Sequence, residues 1–219
     1  MKKLLKTARL LSMILIFSIV SVISVSAKEI IRVDQKTISK VIEQTTASAI
    51  MTNTVTGEKV VLEVKPVSIV KTNSLGNDTF TVGYEVFAPI STGITPFSSE
   101  GGTKTKSGAT AKLNVDYTLN TAGDQIKVTK LYGGWSGTSS LYYFTDRLCA
   151  VTSGMGTGGK QLEKEPTSNS FSYSTGWGYN DRIGGDIGPH AWSDVVAWIA
   201  GMESSGGIAI TVQFAFPSD

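Results

Sequence analysis

The sequence predicts an all-β protein, an antiparallel β-sandwich with long Gly-rich loops, and three observations predict it. Apolar residues alternate with polar ones over several runs, turn-forming residues fall between the runs, and no long stretch carries a helical period. Strict alternation marks a strand with one face buried and one wet, as antiparallel sheets allow. An immunoglobulin-like arrangement is one candidate topology. The Cys…Trp…Cys pattern of antibody domains is missing, however, so the strand order stays open.

The clearest run is 79–88. It puts Phe80, Val82, Tyr84, Val86 and Ala88 on one face and Thr79, Thr81, Gly83 and Glu85 on the other. Residues 111–119 repeat the pattern, with Ala111, Leu113, Val115, Tyr117 and Leu119 inward. Segments 60–64 and 126–131 fit less strictly, and 208–216 closes the chain with Ile208, Ile210, Val212, Phe214 and Phe216 in phase. Residues 72–78 and 120–124 contain Gly, Asn and Asp between such runs and predict hairpin connections. Residues 91–108 are polar and rich in Gly, Ser and Thr, which predicts an exposed loop. Segment 191–202 fits either a helix or a strand, and a final hairpin with 208–216 is the preferred reading. The run Leu141-Tyr142-Tyr143-Phe144 predicts a strand apolar on both faces.

The N-terminus carries a different signal. Lys2, Lys3, Lys6 and Arg9 precede an apolar stretch that ends in Val25-Ser26-Ala27, the build of a secretory signal peptide. Residues 1–27 are therefore expected to be removed, with secreted material beginning at Lys28 and no membrane contact after cleavage. Residues 28–57 are expected as a separate N-terminal segment (a short helix within 34–51, an edge strand or a mobile stretch). A single sandwich domain over 58–219 follows. Export with one cysteine suits a bacterial protein, and Asn77-Asp78-Thr79 matters as a glycosylation sequon only in a eukaryotic host.

Charge and cysteine content exclude several function classes. The precursor has 20 Lys+Arg and 18 Asp+Glu; the four basic residues of the signal leave 16 against 18, a formal net of −2. No basic cluster remains, so nucleic acid is not an expected partner. Cys149 is the sole cysteine, so no internal disulfide can form, and its apolar neighbours Leu148, Ala150 and Val151 predict a buried, inert thiol.

No catalytic motif stands out, and the protein is expected not to be an enzyme. His190, Ser193 and Asp194 lie within five positions, too close in the chain for a triad whose members must converge from separate elements. Glu85, Asp116 and Asp146 fall where solvated charges are expected, although a carboxylate pair for hydrolysis stays a third reading. The loop 180–186 offers Asn180, Asp181 and Asp186 as oxygen ligands, with Asp181 and Asp186 the candidate calcium carboxylates. Arg182 inside the same loop opposes a cation, and turn chemistry explains these residues equally well. No other cofactor is implied.

The aromatic, glycine-rich half is the sharper signal. Residues 133–207 hold 15 of 23 glycines and all four tryptophans. Tyr132-Gly133-Gly134-Trp135-Ser136-Gly137 and the stretch from Tyr173 to Asn180 place rings among Gly and Ser, as glycan-binding surfaces do. Trp135, Trp177 and Tyr179 are the candidate ligand-binding residues, weighed against core plugs at tight corners. Trp198, flanked by Val195, Val196 and Ile199, is expected in the core, and Trp177 is expected as the most exposed ring. The function this implies is a secreted, non-enzymatic sandwich that binds or builds an envelope or matrix. Recognition of a glycan or another cell-surface component is the alternative.

Overall fold

A computed structural model describes residues 46–74, 77–90, 107–154, 158–183 and 188–216. These form two antiparallel sheets packed face to face. The strands in chain order are β1 (Ala47–Asn53), β2 (Lys59–Val61), β3 (Val64–Ser74), β4 (Asn77–Pro89), β5 (Gly108–Leu119) and β6 (Gln125–Gly137). They continue as β7 (Tyr142–Thr152), β8 (Gln161–Lys164), β9 (Ser170–Ser174), β10 (Asn180–Asp181), β11 (His190–Ile199) and β12 (Ile208–Ala215). The first sheet has the order β2-β1-β12-β11-β7-β8. The second has the order β10-β6-β5-β4-β3, and β9 also pairs with β6.

The alternation seen in the sequence is what builds the core. Val82, Val86, Leu113, Val115 and Tyr117 of the second sheet face Val195, Ile210, Val212 and Phe214 of the first, all shielded from solvent. Rings close the space between the layers: Tyr84 lies 5.0 Å from Phe214, and Tyr117 meets Phe216 edge-on at 5.1 Å. Aromatic pairs at such separations add to the apolar area they bury. Strands β3 to β6 form one continuous meander. Immunoglobulin constant domains instead move repeatedly between their sheets, so the strand order here is a different one.

Several expectations shift. The sandwich begins by Ala47, not at residue 58: β1 lies between β2 and β12, with Ala47 opposite Phe214 and Asn53 opposite Ile208. Residues 47–51 of the expected helix are thus strand, because Ala49 goes to the core and its neighbours complete a ladder that β12 would otherwise leave open. The remainder of that helix and the signal segment lie outside the described residues, as does most of the expected loop 91–108. The β3–β4 strands pair as far as Ser74 and Asn77, beyond the limits expected for their connection. Segment 191–202 resolves into β11 and its turn, antiparallel to β12, as the hairpin reading required.

Alternation also sorts residues that sequence neighbourhood misplaces. In β11, Ala191, Ser193 and Val195 face the core, whereas Trp192, Val196 and Trp198 occupy the outer face. Trp198 is therefore half-buried on the outside and not a core ring; Val195 and Ile199, its apolar neighbours in sequence, point to the opposite side. At the start of β7, Tyr142 and Phe144 are buried while Tyr143, and Leu141 just before the strand, are exposed, so that run is apolar in composition but wet on one face.

Cys149 faces the core from β7 with no exposed surface, and burial pushes its thiol up to about 12. A thiol held so far above neutrality is not a nucleophile.

Candidate ligand-binding site

The stretch expected as an aromatic loop, residues 132–137, is the second half of β6. Ile126 and Val128 point inward. A register irregularity opposite Asp116 and Tyr117 then resets the phase, so that Leu131 and Trp135 point inward while Tyr132 and Ser136 point out. The glycines serve close approach. A Cβ on Gly133 would lie 2.1 Å from the carbonyl oxygen of Lys112 on β5, and one on Gly134 would lie 2.5 Å from that of Asn169. Only residues without side chains let β9 and the backbone before it settle against β6.

That docking is hydrogen-bonded. Lys130 pairs with Ser174 and Gly134 with Ser170 along β9, and the Trp135 N–H donates to the Asn169 carbonyl at 2.8 Å. Arg147, reaching over from β7, donates twice to Asn169 Oδ1, at 2.7 and 3.1 Å. The result is a shallow depression of about 430 Å³ on the outer face of the second sheet, floored by Gly133 and Gly134. Lys112, Asn114, Tyr132, Ser136, Asn169, Ser170 and Ser172 form its polar rim.

Tyr132 is the aromatic member of that rim, half-buried on the strand surface. Lys130 Nζ sits 4.9 Å from its ring centroid. Burial first, then the charge of Asp116 and a hydrogen bond to it, raise the Tyr132 phenol above its ordinary value, so it stays protonated and a donor at neutral pH. Asp116 Oδ1 in turn accepts from the Thr81 hydroxyl at 2.9 Å. Lys112 is held by Glu85 at 2.7 Å, so its ammonium is fixed beside the depression. The lining thus combines one outward ring, the buried rings of Trp135 and Phe171 beneath, amides, hydroxyls and an ammonium. It contains no carboxylate among the described residues.

The residues singled out from the sequence are not brought together. Trp135 is 4 % exposed, and its ring packs 5.0 Å from that of Phe171; it supports the depression from beneath and offers no free face to it. Its burial follows from the inward phase of β6, which the glycines on either side conceal in the sequence. Trp177 and Tyr179 lie on the segment between β9 and β10. Trp177 is half-buried against the core edge, and its backbone N–H donates to Thr175 Oγ1 at 3.2 Å. Tyr179 is 37 % exposed and stands apart from the depression. Tyr132 was passed over in the sequence. Continuing the period of two from Ile126 and Val128 would have turned it inward; the irregularity opposite Asp116 and Tyr117, which the sequence does not announce, puts it on the wet face.

Asp181 belongs to β10, where its carboxylate accepts from Gln125 Nε2 at 3.1 Å. Arg182 beside it donates to the Gly123 carbonyl, which fixes its cation over the β5–β6 turn. Asp186 lies outside the described residues. Among the described residues no three His, Cys, Asp or Glu side chains gather into a metal-binding group.

His190 and Asp194 occupy the outer face of the first sheet, whereas Ser193 is fully buried on the inner one. They cannot act as a triad from opposite sides of a sheet. His190 Nδ1 lies 2.8 Å from the Gly188 carbonyl, and its ring stacks on Trp192 at 5.1 Å. Burial lowers its pKa, with the Gly188 hydrogen bond acting in the opposite sense. The unfolded chain therefore binds a proton more readily than the native one in the window below about 6.5. Stability from this group is present above that value and declines as pH falls towards the lowered native pKa. Denaturation midpoints measured across that window should fall with pH, and His190→Gln should flatten this segment of the profile. A histidine NMR titration at or above the ordinary imidazole value would contradict the expectation.

An all-β sandwich with a shallow, polar depression on one sheet is the class that fold and site define. Comparison with protein-family models, with curated proteins and with solved structures finds no match for this chain.

Proposed function

We propose that this is an exported, non-enzymatic binding protein that holds a hydroxyl-rich ligand, a glycan of a cell surface or matrix, against the depression centred on Tyr132. The observation that carries the reading is the composition of that depression: one outward ring beside Asn114, Ser170 and Ser172, over a floor of glycine. A ring supplies apolar area to a sugar face, and flanking amides and hydroxyls set its orientation. An open depression suits an extended polymer better than a small molecule, which needs enclosure. Export rests on the N-terminal pattern, and neither calcium nor nucleic acid enters the proposal.

The test is a glycan-array screen of the secreted chain, followed by titration of the best ligand against Tyr132→Ala. Binding should weaken by about 1–3 kcal/mol, the range expected for an aromatic anchor. The denaturation midpoint should hardly move, since little core is lost. A variant that binds as tightly as the parent would place the ligand elsewhere.

A further inference from the structure

A second group of side chains lies on the opposite sheet, away from the depression. Tyr143 of β7 and Trp198 of β11 are direct cross-strand partners on the outer face. Their rings are nearly parallel, 13° apart, with centroids 6.4 Å from each other. Trp198 is fixed in place: its Nε1 donates to Thr145 Oγ1 at 2.9 Å, and the indole lies over Gly207, where a Cβ would come within 2.8 Å of the ring. Tyr143 is 38 % exposed.

A carboxylate completes the group. Glu203 sits in the short 3-10 turn Glu203–Ser205 between β11 and β12. Its Oε1 accepts from the Gly201 N–H at 3.2 Å and from the Tyr143 hydroxyl at 3.4 Å. Hydrogen bonds from its own backbone N–H first and then from that of Gly201 hold its pKa below the usual glutamate value, so it carries a charge throughout the neutral range. No Lys or Arg among the described residues pairs with it. A fixed anion thus lies beside one exposed ring, Tyr143, backed by the half-buried Trp198, and no cation among the described residues answers it.

We propose that Tyr143, Trp198 and Glu203 form a binding site for an organic ammonium group, of which the quaternary ammonium of choline is the test case. Ring faces carry negative potential and attract cations, and a quaternary ammonium is weakly hydrated and leaves water readily. Glu203 supplies the counter-charge that distinguishes such a ligand from a neutral one of the same shape. The site is independent of the depression on the other sheet, and its success or failure does not bear on the glycan reading.

The experiment titrates the secreted chain with choline, read by tryptophan fluorescence and by the NMR shifts of the Trp198 ring. Its uncharged isostere, 3,3-dimethylbutan-1-ol, serves as the control. Saturable choline binding is expected, about three- to tenfold weaker for the isostere and for Glu203→Gln. Tyr143→Ala should weaken it further, and Tyr132→Ala should leave it unchanged. Glu203→Gln is isosteric on an exposed turn and keeps the fold, so its affinity reports on charge alone. Equal affinity for choline and the isostere would overturn the proposal. So would an unchanged affinity in Glu203→Gln, or no saturable change at Trp198.

Discussion

Replacing Gly133 by valine is expected to cost about 3–5 kcal/mol of stability, a large loss for a single substitution. The first added atom, the Cβ, would already lie 2.1 Å from the Lys112 carbonyl oxygen and 3.0 Å from the Phe171 ring. Neither can withdraw cheaply. The carbonyl belongs to the β5 backbone, paired with β6 on both sides of the contact, and Phe171 is buried against Trp135. Relief therefore requires β5 and β6 to part locally or β9 to leave the sheet. Gly178→Ala is the matching control, because nothing lies within 4 Å of its added Cβ. It should change stability by less than about 0.5 kcal/mol. Chemical denaturation of both variants checks the pair. A Gly133 variant as stable as the parent would mean that β5 and β6 do not approach as described.

Trp135→Ala is expected to lose about 3–5 kcal/mol, the cost of emptying a large aromatic from a packed interior. At 4 % exposure the ring has no water to return to, and Phe171 and the inner face of β6 would line the hole. Trp177→Ala should lose less, about 1–3 kcal/mol, since that ring is only half-buried at the core edge. Denaturation curves of the two variants distinguish a core plug from an edge ring without any ligand. If Trp135→Ala proved nearly neutral, the inward phase of β6 would be wrong, and Tyr132 would lose its place on the outer face with it.

The two substitutions mark where reading the sequence succeeded and where it stopped. Strands β4, β5 and β12 were legible because each writes its burial in period two with residues that differ in polarity: Phe80 against Thr81, Leu113 against Asn114, Val212 against Gln213. The second half of β6 was not legible. Its inward and outward positions are occupied in part by Gly133, Gly134 and Gly137, which have no polarity to alternate. Glycine reads as turn or loop until a neighbouring backbone explains it. Trp198 was misplaced for a related reason, since adjacent apolar residues on a strand face opposite ways. The candidate site inherited both difficulties, so Trp135 drew attention while Tyr132, one ring along the same strand, did not.

What the sequence determined by itself was local and periodic: an all-β chain, the inward faces of β4, β5 and β12, a thiol sealed in the core and a closing hairpin. These follow from alternation and polarity within single segments, and each can be read without knowing what lies opposite. Only the tertiary structure decided which strands became neighbours, that β9 lies along β6, and that Tyr132 stands beside a floor of glycine. It likewise decided that Glu203 meets Tyr143 across sixty residues of chain. The physical reason is that close approach is a property of two segments at once. A missing side chain shows in the sequence of one of them, but the backbone that fills the space belongs to the other.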